Sequence, residues 1–268
     1  MKLTRTRYGN VNHRSYGNEP GGLVALHGFT QHGGSFEELA AFLDVGLLAV
    51  DLPGHGATDV QPATFEVAVE VVSTVLEAHA RPPALLGYSQ GGRISLQVAL
   101  RRSDLIDRLI LISASPGIAD PRVREERRDA DRVLATHIEE AGVATFVDEW
   151  LAMDMFAGLR DRPAEWRATD RNRRLENTSQ GLAAGLRGMG PGAQPYLGDN
   201  LRNLTVPLLA VAGGSDRKYS EYAEMMAGAA PGGTLEIVPR AGHAVIGESP
   251  EALAVLINRW IADRAVER

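Results

Sequence analysis

The sequence contains no cysteine, so disulfides and thiolate metal ligands are excluded outright. Long hydrophobic runs are missing too, and nothing approaches the roughly 20 apolar residues that a membrane-spanning helix needs. The first residues, Met1-Lys2-Leu3-Thr4-Arg5-Thr6-Arg7, are polar and have no apolar core of the signal-peptide kind. Nor is charge of one sign concentrated anywhere. The 28 Lys and Arg against 34 Asp and Glu leave a net charge of −6, spread along the chain. That gives no electrostatic case for nucleic acid or an anionic membrane surface. Mild net acidity does not exclude an anionic substrate, because local arginines can dominate a pocket. These absences predict a soluble, cytoplasmic protein, and no cofactor or metal is expected. Oligomeric state is not encoded in any of them.

At 268 residues and 44% hydrophobic content, the chain can bury one sizeable core. Short apolar runs alternate with longer amphipathic stretches, the pattern of a mostly parallel sheet covered by helices. The runs are Leu23–Leu26, Leu47–Val50, Ala84–Leu86, Leu109–Ile112, Leu208–Ala212 and Thr234–Val238. Being largely apolar, they suit strands buried on both faces. Helical spacing is seen over 64–80 and 250–264, with Pro250 suitably placed in a first turn. The segment from about 116 to 204 has no buried-strand signal and is rich in Arg, Glu, Asp and Ala. Helices are predicted there over 122–140, 142–152 and 163–175, followed by a Gly/Pro-rich patch at 188–195. A helical insertion between two central strands belongs over the strands' carboxyl ends, where ligands of such sheets bind. The predicted fold is therefore α/β, one domain over 1–268 with a helical cap at about 116–204.

Gly87-Tyr88-Ser89-Gln90-Gly91 matches G-x-S-x-G between an apolar strand and a helix from Arg93 to about Arg101. Glycine neighbours let a serine on a strained strand-to-helix turn project its hydroxyl into a cleft. A hydroxyl needs an imidazole to take its proton and a carboxylate to orient that imidazole. In this architecture the order is Ser, acid, His. Asp216 follows the strand at 208–212 through Gly213-Gly214-Ser215, and His243 follows the strand at 234–238 in Arg240-Ala241-Gly242-His243. Ser89, Asp216 and His243 are thus the candidate catalytic residues. Oxyanion donors are expected at the Gln90 N–H and, from His27-Gly28-Phe29, at the Phe29 N–H. His27 and His55 have no partner at metal-ligand spacing, and Asp51-Leu52-Pro53-Gly54-His55-Gly56 reads as a turn. His13, His32, His79 and His137 read as ordinary surface or loop residues. The arginines of 122–132 and 167–174 are interleaved with acids and read mostly as solvated helix faces, while Trp150 and Trp166 read first as packing residues.

Leu26-His27-Gly28-Phe29, the turn at 51–56, Gly87–Arg93 and Pro239–His243 together resemble the α/β-hydrolase superfamily. More narrowly, the chain is similar to the 2-succinyl-6-hydroxy-2,4-cyclohexadiene-1-carboxylate synthases of menaquinone biosynthesis. The residues that narrow it are Arg93, Ser115-Pro116-Gly117-Ile118, Glu149-Trp150 with Phe156, Arg171-Asn172, Asn177–Leu186 and Asp216–Tyr219. The resemblance implies a lyase that eliminates pyruvate from a substrate with three carboxylates, with Ser89 as base and no acyl-enzyme. Such a substrate needs several fixed cations, preferably arginine forks. By position the resemblance implies Arg93, Arg127 and Arg171, with Tyr88, Trp150 and Lys218 as lesser contributors. Arg124 and Arg128 rival Arg127, and Arg173 and Arg174 rival Arg171. Other functions open to this fold are a serine carboxylesterase, a carbon–carbon bond hydrolase and a ligand receptor with little turnover.

Overall fold

Apolar runs too short to make stable helices form the strands that carry the site. The computed structural model describes residues 2–17 and 22–263. In chain order its strands are β1 (Lys2–Thr6), β2 (Gly9–Tyr16), β3 (Leu23–Leu26), β4 (Leu47–Val50), β5 (Asp59–Val60), β6 (Ala84–Tyr88), β7 (Arg108–Ile112), β8 (Leu208–Gly213) and β9 (Gly233–Val238). Its helices are α1 (Glu37–Ala40), α2 (Phe65–Glu77), α3 (Gln90–Arg101), α4 (Pro121–Ala152), α5 (Ala164–Arg174), α6 (Ser179–Met189), α7 (Arg217–Ala229), α8 (Val245–Glu248) and α9 (Pro250–Asp263). The strands lie in the order β1-β2-β4-β3-β6-β7-β8-β9, with β5 beside β2. The sheet is parallel from β4 to β9, and its pairings through β2 are antiparallel.

Strand side chains alternate between the two faces, and both faces are covered. Val24, Leu26, Leu109 and Leu111 pack toward α2 and α3. Their neighbours Leu23, Ala25, Ile110 and Ile112 pack with Leu253, Ile257 and Trp260 of α9. Helix α2 starts where Thr64 Oγ1 accepts the Val67 N–H at 3.3 Å, a standard N-cap arrangement. The expected span 250–264 becomes α9, and residue 264 lies outside the described residues.

Between β7 and β8 the chain forms α4, a 3-10 segment at Asp154–Asp161, α5 and α6. The break expected near residue 141 is a kink in α4 at Gly142, with φ 82° and ψ 159°. Helix α6 was not anticipated, because its glycines argue against a helix. It forms because Leu182, Ala183 and Leu186 bury against Ala135, Ile138 and Phe146 of α4. Two other expectations need correction. Strand β9 is a sheet edge and leaves Leu235 and Ile237 exposed. His13 and His32 are buried rather than superficial. Strands β1, β2 and β5, which carry no long apolar run, have no counterpart among the expected strands. No helix among the described residues is long and apolar enough to cross a membrane.

Candidate active site

Backbone strain gathers at the carboxyl edge of the parallel strands. The non-glycine residues with positive φ among those described are Thr30, Ser89, Ser113 and Arg240, which follow β3, β6, β7 and β9. Such conformations cost about 1–3 kcal/mol each and persist where surrounding contacts over-determine them. Ser89, at φ 50° and ψ −106°, is the turn between β6 and α3. Its N–H donates to the Ile112 carbonyl at 2.9 Å, and the Gly91 N–H donates to the His27 carbonyl at 2.9 Å. Gly91 is required by contact, since a Cβ there would lie 2.2 Å from the Leu26 carbonyl oxygen. Close seating of α3 against β3 leaves the Ser89 hydroxyl facing the cleft.

Asp216 caps α7, its Oδ1 accepting the Tyr219 N–H at 3.2 Å. Its Oδ2 lies 3.0 Å from His243 Nδ1, and His243 Nε2 lies 3.1 Å from Ser89 Oγ. A carboxylate only accepts, so Nδ1 carries the imidazole proton and Nε2 is free to accept from the serine hydroxyl. His243 is buried, with its ring centroid 4.3 Å from that of Tyr219 and 5.7 Å from that of Tyr88. The structure thus brings together all three of the residues expected from their order in the chain. Neither the Phe29 nor the Gln90 N–H donates to a loop or side-chain acceptor among the described residues, and both residues line the cavity next to Ser89.

That cavity holds about 510 Å³ and is shared between the sheet edge and the helical insertion, within the range of small-molecule sites. Arg93, Arg127, Trp150 and Lys218 line it with Ser89 and Asp216. Arg93 is buried, and its guanidinium donates to the Met189 carbonyl at 2.8 Å. No carboxylate forms a salt bridge with it among the described residues, although the charge of Asp131 favours its cationic form. Burial lowers its pKa to about 10, so it remains a cation at neutral pH. Arg127, by contrast, is tied to Asp131 at 2.7 Å. The Trp150 Nε1 has no partner among the described residues. Tyr88 reaches a smaller adjoining recess with His243, Gln31 and Arg174, and burial raises its phenol pKa, keeping it neutral.

Arg171 is not brought to the cavity. It turns outward into a two-pronged pair with Asp148, at 2.6 and 2.8 Å. Arg174, three residues on, is the arginine of α5 that points inward. Its guanidinium bonds Asp170 at 2.8 Å and Thr30 Oγ1 at 2.5 Å. Arg174 is expected from the sequence only as a rival of Arg171, and Tyr219, part of the resemblance at 216–219 but with no site role expected of it, lines the cavity and stacks on His243. Its position three residues after Asp216, inside a cap turn, was the signal available.

The family profile described as "Alpha/beta hydrolase family" matches residues 23–256. The chain is 32% identical to 2-succinyl-6-hydroxy-2,4-cyclohexadiene-1-carboxylate synthase of Pectobacterium atrosepticum, over 90% of this chain and 93% of that one. Similarity to the enzyme of the same name from Serratia proteamaculans is 29%, again over 90% and 93%. Among solved structures, MenH from S. aureus superposes with a TM-score of 0.86 at 26% identity, covering 96% of this chain and 99% of that one. An esterase from Thermogutta terrifontis reaches 0.84 at 22% identity over 98% and 99%, a likeness of fold alone.

Proposed function

The chain belongs to the α/β-hydrolase family and, within it, to the 2-succinyl-6-hydroxy-2,4-cyclohexadiene-1-carboxylate synthases, and on that premise we propose that it eliminates pyruvate from 2-succinyl-5-enolpyruvyl-6-hydroxy-3-cyclohexene-1-carboxylate in menaquinone biosynthesis. The names of reactant and product define the bond changes. A proton leaves ring carbon 2, the double bond between carbons 3 and 4 redistributes into the 2,4-diene, and the carbon 5–oxygen bond breaks. The departing enolpyruvate takes a proton on its methylene carbon and leaves as pyruvate. Neither water nor an acyl group enters the balance.

In this reading His243 Nε2 takes the Ser89 proton, Asp216 stabilises the resulting imidazolium through Nδ1–H, and the Ser89 oxygen removes the ring proton. The imidazolium then holds a proton for the leaving enolate. The Phe29 and Gln90 N–H groups stand ready for negative charge developing on a substrate oxygen. Arg93, Arg127 and Lys218 bind the carboxylates, Arg174 and Tyr88 border the recess beside His243, and Trp150 offers its free indole N–H.

The observation that carries this reading is Arg93, a buried cation with no salt-bridged carboxylate among the described residues, on the wall of the cavity that holds Ser89. A buried cation held by a carbonyl and an aromatic ring but by no salt bridge is costly, and an anionic ligand offsets that cost. An esterase acting on apolar esters would have no use for it. The test is to supply purified protein with freshly prepared enolpyruvyl precursor and measure pyruvate against the spontaneous rate. Release well above background with no acyl adduct in the intact mass is the expected result. Stoichiometric acylation of Ser89 would point to a hydrolase instead.

A further inference from the structure

The loop that carries His243 is short, and its backbone is tied down from one side by a single carboxylate. Glu248 ends α8, and its side chain folds back along that turn. Oε2 accepts the Gly242 N–H at 2.6 Å, and Oε1 accepts the Ala244 N–H at 3.0 Å. The backbone N–H groups of the residues on either side of His243 are therefore held by the two oxygens of one side chain. No cation forms a salt bridge with Glu248 among the described residues, and its carboxylate accepts from these two N–H groups.

The helical insertion reaches the same carboxylate. Gly158, in the 3-10 segment, approaches so closely that a Cβ there would lie 2.1 Å from Glu248 Oε2. On either side of that contact, Phe156 and Leu159 cluster with Ala244. Phe156 also faces the His243 ring, with centroids 6.3 Å apart. One patch of the insertion thus sits on both the imidazole and the anchor of its backbone.

We propose that Glu248 is a positioning residue that fixes the setting of His243 between Ser89 and Asp216, and that the Gly158 contact couples the seating of the insertion to that setting. The inference rests on the reading of His243 as the proton-transfer group. A carboxylate is suited to the task because both its oxygens accept. A glutamine has one accepting oxygen and turns an NH₂ toward the other N–H, so either Gly242 or Ala244 loses its acceptor. Displacements of about 1 Å in a reacting group typically cost on the order of 10²-fold in rate.

The experiment compares wild type, Glu248→Gln, Gly158→Ala and the double variant by kcat and KM for pyruvate release. Labelling of Ser89 by a fluorophosphonate serves as a substrate-independent readout. Glu248→Gln should lower kcat and labelling about 10- to 100-fold with KM changed less than about twofold. Gly158→Ala should do the same in wild type and add little in the Glu248→Gln background. In a His243→Ala background Glu248→Gln should leave the residual rate alone, which a general loss of structure would not do. The proposal is overturned if Glu248→Gln keeps kcat and labelling, if it lowers the His243→Ala residual rate equally, or if the Gly158→Ala effect is simply additive. A wild type that releases no pyruvate would strike the lyase reading, and the labelling rates would still decide the role of Glu248.

Discussion

Arg171 and Arg174 lie three residues apart on α5, so helical periodicity puts them on neighbouring faces and cannot choose between them. Their partners choose. Asp148 on α4 holds Arg171 at the surface, whereas Asp170 and Thr30 draw Arg174 inward. Arg174→Ala should therefore lower kcat/KM by about 10- to 100-fold, the size expected for lost charge-assisted hydrogen bonds. Arg171→Ala should change it by less than about twofold, since an exposed pair contributes little. Arg93→Ala should raise KM and lower kcat together, because a lost carboxylate clamp also misplaces the ring. Steady-state kinetics on these three variants separates the outcomes. Ser89, Asp216 and His243 were legible in the sequence because each follows a recognisable apolar strand. The role of Glu248 was not, because it arises from where a turn folds back rather than from any spacing, and Tyr219 was signalled only by its place three residues after Asp216.

At the scale of elements, legibility followed apolar patterning. Strands β3, β4, β6, β7 and β8 announce themselves because both their faces are buried. Strand β1 is polar and largely exposed, and β2 is mostly polar although Val11–His13 are buried, so only the pairing of β1 with β2 and of β2 with β4 defines them. Helix α6 owes its existence to α4, a tertiary effect that no local propensity contains. The kink in α4 has a sharper signature. Gly142 occupies a backbone region almost restricted to glycine, and nothing lies within 4 Å of where a Cβ would stand. Gly142→Ala should then cost about 1–3 kcal/mol through backbone strain alone, measurable by denaturant unfolding. If the variant unfolds at the wild-type midpoint, the kink is not a fixed feature of the helix.

For the molecule as a whole, the buried histidines behind the Phe29 loop tie stability to pH. His27 Nε2 accepts the Leu52 N–H at 2.9 Å, so its proton sits on Nδ1, which donates to the Gly28 carbonyl at 2.8 Å. His55 Nδ1 donates to the Pro53 carbonyl at 3.0 Å, leaving a buried Nε2 without a partner among the described residues. His32 Nδ1 accepts from Gly34 and Arg14, and its Nε2 donates to the Arg173 carbonyl at 3.0 Å. Burial holds all three below the ordinary histidine range, with His55 lowered to about 4. The unfolded chain, whose histidines titrate near 6.5, therefore binds more protons as the pH falls from about 6.5 to about 4. Stability is full above that window and is lost through it, by roughly 3 kcal/mol for a shift the size of that of His55. Urea unfolding at pH 7 and at pH 4.5 should show the decline, and His55→Gln should flatten it. A midpoint that does not move between those pH values would contradict the buried neutral assignments. His32 and His55 also join the insertion and the turn at 51–56 to the sheet edge, so acid should loosen the site before the core.

The central claim is that the Ser89 oxygen, made basic by His243, removes the ring proton. Its most direct test is the initial rate of pyruvate release from the enolpyruvyl precursor by wild type and Ser89→Ala at equal concentration and neutral pH. The account predicts a fall of orders of magnitude to near the uncatalysed rate, with His243→Ala added to Ser89→Ala costing little more. A Ser89→Ala protein that releases pyruvate as fast as wild type would contradict it.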